Sequence, residues 1–159
     1  MHQYRITKYD PSRRDLGGAY PVDEWTSRSD IGKSFGGVRL TENNYLRIEQ
    51  AYLEAAIAFL REAGVDELTV IGLENHREVP TAPQDGSRIQ SEDVPEVVRS
   101  LLREDFWCKL EAPDAFLHVG YDYYMYVGTP VECPSASVEA QANGLFVEEF
   151  KSPYVQSAV

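Results

Sequence analysis

The chain has 159 residues, an ordinary apolar content of 43% and a formal net charge of −11. Charge that negative excludes a protein that tracks the phosphate backbone of nucleic acid or sits on an anionic membrane, and it favours a basic partner. The acid is also uneven: residues 1–40 carry a net +2 and residues 41–159 a net −13.

The length and apolar content fit one domain, 1–159, with a single core. The opening MHQYRITKYD is polar and has no apolar leader, and the most apolar stretch, 51–60, is interrupted by Glu54. Cys108 and Cys133 are too few for a disulfide framework. The expectation is therefore a cytoplasmic protein with reduced thiols.

Residues 2–8 alternate, with Tyr4 and Ile6 on one face, and read as a first strand. Residues 9–40 form a long irregular segment rich in Gly and Pro, pinned to the core by Trp25 and Phe35. Thr41 is placed to cap a helix running to Ala63, with Gly64 suited to the left-handed position after it. A strand at 68–73 and a loop at 75–90 follow. A second helix begins near Asp93, which is spaced for a capping box with Glu96. Its buried stripe is Val94, Val97, Val98, Leu101 and Leu102, which leaves Arg99 and Arg103 on a solvated face. Strands are expected at 106–111, 116–119, 123–127 and 145–150, with a hairpin turn at 120–122 and a loose tail after 153. The fold class is α+β: an antiparallel or mixed sheet of five to six strands with two main helices on one face.

Glu49 is the chief anomaly. On a helical wheel it falls inside the apolar arc of Tyr45, Tyr52, Leu53, Ala56 and Leu60. A carboxylate there must be paired or hydrogen-bonded, and it either serves the core or lines a pocket with its pKa raised. The second feature is a tyrosine cluster. If 121–127 is extended, Asp122, Tyr124 and Tyr126 share one face and Tyr121, Tyr123 and Met125 the other. Tyrosine beside acid suits a protein-binding face.

Weaker signals are set aside. Glu74, His76 and Glu78 alternate but have no cysteine or second histidine near them, so no metal site is expected. Gly32-Lys33-Ser34 lacks the first glycine of a phosphate loop, where Ser27 stands, and no cofactor is expected. His118 lies in a strand close to Asp122, and a thiol site would need one of the cysteines beside it.

The phrases YRITKYDP at 4–11, DEWTSRSDIGKSF at 23–35, FWCKLE at 106–111 and GYDYYMYVG at 120–128 together resemble small acidic uncharacterised bacterial proteins. Some of those are similar to immunity proteins of secreted toxin systems. The resemblance spans roughly residues 4 to 150 and implies a binding protein; it brings no catalytic residue with it.

The expected function is a toxin-neutralising immunity protein that occludes a basic partner. Tyr121, Asp122, Tyr124 and Tyr126 would form its face, with Asp114 and Glu132 as rim charges. The alternative is a small enzyme or ligand-binding domain built on Glu49, with Trp25, Tyr45, Tyr52 and His118 around it. A third possibility is a homodimer joined through the tyrosine strand.

Overall fold

A computed structural model describes residues 1–155. The fold is α+β. Among the described residues there are nine strands: β1 (His2–Thr7), β2 (Ser34–Phe35), β3 (Val38–Arg39), β4 (Glu67–Glu74), β5 (Arg88–Gln90), β6 (Trp107–Ala112), β7 (Ala115–Val119), β8 (Met125–Thr129) and β9 (Phe146–Glu149). Three α-helices accompany them among those residues: α1 (Glu42–Glu62), α2 (Val94–Leu102) and α3 (Pro134–Ala142). Seven strands form one antiparallel sheet in the order β5-β4-β6-β7-β8-β1-β9, and β2 and β3 make a small separate hairpin.

The long helix forms where its pattern and caps place it. The Thr41 side chain accepts from the Asn44 amide, and Gly64 takes φ +69 beyond the last turn. Tyr45, Tyr52, Ala56, Phe59 and Leu60 are buried on its inner side. They meet Ile6, Val70, Leu110, Leu117, Met125 and Val127, which point to the same face of the sheet from five different strands. Helices α2 and α3 both pack on α1.

Several elements differ from the sequence expectation. Asp93 makes no side-chain cap; a single 3₁₀ turn, Ser91–Asp93, leads into α2 instead. Helix α3 and the short strands β2, β3 and β5 are additional. The 9–40 segment is irregular but anchored. Trp25 is buried, and Arg14 donates to the Tyr124 hydroxyl while its guanidinium lies beside the Tyr20 and Tyr124 rings.

The tail is tied down as far as it is described. Residues 150–154 cross the helix-free face of the sheet as a strap. Phe150 stacks under the Arg5 guanidinium, Ser152 is buried, and Tyr154 contacts Trp107, His118 and Tyr126. The strap explains how Phe116, His118 and Tyr126 are buried although they point away from the helices. Gly128 is required on that face, because a Cβ there would collide with the Phe116 ring.

Candidate functional site

Glu49 is 2% exposed, as its place on the wheel requires. It accepts from the Tyr45 hydroxyl at 2.6 Å and, through both carboxylate oxygens, from Arg103 Nε and Nη2 at 2.8 Å each. Arg99 Nε lies 3.3 Å away. Burial alone would push this carboxyl up, but the bonds from Arg103 and Tyr45 outweigh it and hold it below the usual carboxylate value. Arg99 and Arg103 are thus not a solvated face; they clamp α2 to α1. A carboxylate ionised and doubly bonded in this way has no free lone pair aimed at a substrate.

Of the other residues of the ligand-pocket alternative, Tyr45 and Tyr52 are fully buried and fill space, while Trp25 also lines a separate cleft of about 340 Å³ with Lys8, Glu24, Phe35 and Arg39. Trp25, Tyr45, Tyr52 and Tyr123 form a buried aromatic cluster with ring centroids 5.0–6.2 Å apart. The Tyr45 and Tyr123 hydroxyls lie 2.5 Å apart, and Tyr52 donates to the Tyr123 carbonyl at 2.8 Å. Burial, and then the bond to Glu49, pushes the Tyr45 hydroxyl up to about 12, so these phenols stay protonated.

His118 is elsewhere, on the strap side of the sheet. Its Nε2 lies 3.0 Å from Glu111 Oε1 and its Nδ1 2.8 Å from Ser152 Oγ. A carboxylate only accepts, so Nε2 carries the proton and Nδ1 accepts from the Ser152 hydroxyl. Serine, histidine and acid in line resemble a hydrolase triad. Here, however, His118 is fully buried and Ser152 is only 6% exposed. The arrangement acts as a latch for the strap. Burial pushes the His118 pKa down, with the Glu111 bond opposing, so the ring is neutral at neutral pH. Cys108 and Cys133 are buried free thiols; burial pushes Cys108 up to about 12, which leaves it protonated and unreactive.

The expected tyrosine face divides. Tyr121 is 79% exposed and Asp122 is exposed beside it. Tyr126 is 7% exposed, lying under Phe150 and Tyr154, and Tyr124 is half-buried against Arg14 and Tyr9. Residues 121–123 are a turn rather than extended strand, so the predicted alternation begins only at Met125. Asp114 and Glu132 are exposed at the opposite end of β7 and β8, about 17 Å of strand away, and cannot rim the same surface.

The turn itself is unusual. Asp122 and Tyr123 both have positive φ (62 and 68), a tight hairpin geometry that glycine and asparagine favour. Tyr123 tolerates it because its ring and carbonyl are gripped by Trp25, Tyr45 and Tyr52 in the core. The buried network therefore fixes the hairpin tip that presents Tyr121.

Next to that tip is a half-open cleft of about 400 Å³. Leu101 and Phe106 line it from below the α2 C-terminus, and Trp107, Tyr121 and Tyr154 supply aromatic walls. Glu74, Glu104 and Asp105 bring carboxylates to it, against Arg77 and His76. Among the described residues none of these three acids makes an ion pair. Nor do His, Cys, Asp and Glu cluster anywhere among the described residues in a group of three able to hold a metal ion. Sequence reading missed this cleft because its parts come from β4, the end of α2, the β7–β8 turn and the tail.

Compared with protein-family models, curated proteins and solved structures, the chain matches none. No helix among the described residues is long and apolar enough to cross a membrane.

Proposed function

We propose that this is a protein-binding inhibitor that docks a basic partner on the end of the sheet where Tyr121 projects. The observation that carries the reading is the hairpin tip. Exposed Tyr121 precedes a costly left-handed pair, Asp122 and Tyr123, which the core holds through Tyr123, and it stands beside an aromatic cleft with three unpaired carboxylates. Preorganised tyrosine with surrounding acid suits a hot spot for a cationic surface, and the net charge of −11 would steer such a partner in.

The resemblance to immunity proteins of toxin systems points the same way, and occlusion of a toxin's basic active site is the most concrete form of the proposal. The enzyme alternative built on Glu49 loses its support, since that carboxylate is consumed by Arg103 and Tyr45.

The test is capture of partners by the immobilised protein at low and high salt, with Tyr121→Ala and Asp122→Lys beside the wild type. A basic protein released by salt, lost with Tyr121→Ala and slower to associate with Asp122→Lys, is the expected result. An empty capture, or one indifferent to both substitutions, contradicts the proposal.

A further inference from the structure

The docking end contains a cavity whose chemistry is more specific than a charged patch. Its walls are built. Trp107 is fixed by a hydrogen bond from Nε1 to the Val119 carbonyl at 2.9 Å, and the Tyr154 ring stands 5.7 Å from it at 51°. Tyr154 reaches that place only because residue 120 is glycine; a Cβ there would lie 2.7 Å from the Tyr154 hydroxyl oxygen. Tyr121 adds a third ring at the mouth. At about 400 Å³ the cleft is of small-ligand size, within the range of roughly 300–1,000 Å³.

Its charge is equally defined. Glu74, Glu104 and Asp105 line it without ion-pair partners, and one competing guanidinium, Arg77, lies at the same cleft. Glu104 has φ 60 just past the end of α2. The Asp105 amide there donates back to the Ser100 carbonyl and the Glu104 amide to the Leu101 carbonyl, closing the helix in the manner that ordinarily takes glycine. A carboxylate therefore occupies a position where its backbone is strained, and backbone strain of this kind tends to gather at binding sites.

We infer that this cleft is a socket for one arginine side chain of the partner, an assignment that rests on the docking reading above. Aromatic faces attract a cation, and a planar guanidinium both stacks on them and takes carboxylates in its fork, which a compact ammonium does less well. The guanidinium would stack against the aromatic wall that Trp107, Tyr121 and Tyr154 form, with Glu104 and Asp105 as its counter-ions.

The experiment is an NMR titration of the whole protein with N-acetyl-arginine amide, with the neutral N-acetyl-citrulline amide and N-acetyl-lysine amide as comparisons. The expected result is saturable shifts of the Trp107 indole N–H and the Gly120 and Tyr121 amides, with Kd of about 1–10 mM for so small a probe. Trp25, buried in the core, stays unmoved as an internal control. The citrulline compound is silent and the lysine compound weaker. Glu104→Gln combined with Asp105→Asn lowers affinity about tenfold, and Arg77→Ala raises it by removing a competing cation.

Absence of saturable shifts at Trp107, or an equal response to citrulline or lysine, overturns the socket. A silent titration beside partner capture that still depends on Tyr121 would sink the socket alone. A positive titration beside an empty capture would sink the docking reading alone.

Discussion

Glu49 shows what a single residue's place in a pattern can reveal. Its burial is legible from the helical wheel, because Tyr45 and Tyr52 lie on either side of it along one face. Its partners are not, because Arg99 and Arg103 look solvent-facing on α2 until that helix is laid against α1. Glu49→Gln removes the charge that both arginines serve. It is expected to lower stability by about 2–3 kcal/mol, less than for fully enclosed pairs because the arginines keep some solvent, as read from the urea midpoint. His118 sets a pH dependence. Its folded pKa is depressed by burial, so its contribution to stability is full above the unfolded value near 6.5 and is lost as pH falls through that value toward the lowered one. The wild type should therefore lose stability as pH drops below about 6.5, and His118→Gln should flatten that part of the profile. Parallel profiles would show that another group is responsible.

Elements with a strong period were readable and those without one were not. β1, α1 and β4 follow their alternation or apolar arc, and Thr41 and Gly64 mark the ends of α1. Helix α3, with the sequence PSASVEAQA, buries only Ala136 and Ala140 and carries almost no apolar signal. The strap was missed for a different reason. Phe150 reads as the end of a strand and Tyr154 as part of a loose tail until Arg5, His118 and Trp107 supply the partners of Phe150, Ser152 and Tyr154 across the sheet. Two glycine relationships give opposite expectations. Gly128→Ala forces the Phe116 ring off its stack on His118 and should cost about 1–3 kcal/mol in chemical denaturation. Glu104→Gly relieves a left-handed glutamate and should gain roughly 1 kcal/mol, with a matching rise in Tm. The second gain would come with weaker arginine binding in the cleft.

For the whole molecule, the charge excess visible in the sequence becomes informative only once it is located. Asp114 and Asp122 flank the single strand β7 in sequence yet stand at opposite ends of the β7–β8 pair, so acid counted along the chain mixes two surfaces. The sheet's outer strands, β5 and β9, are short, and β9 ends in Glu148 and Glu149, which discourages edge-to-edge pairing of two copies. What remains is a one-sided α+β fold whose free sheet face is crossed by its own tail and in which Tyr121, far more exposed than Phe150, stands at one end. The central claim, that a basic partner docks at that end, is tested most directly by matched charge reversals. Glu104→Lys with Asp105→Lys alters the Tyr121 end, and Asp114→Lys with Glu132→Lys alters the other by the same total charge. Lysine just after α2 also suits the helix dipole, so the first pair does not threaten the fold. Association rates with the captured partner, measured at several salt concentrations, should fall about tenfold or more for the first pair and change little for the second. Equal slowing by both pairs would mean that only net charge matters and would contradict a docking face at Tyr121.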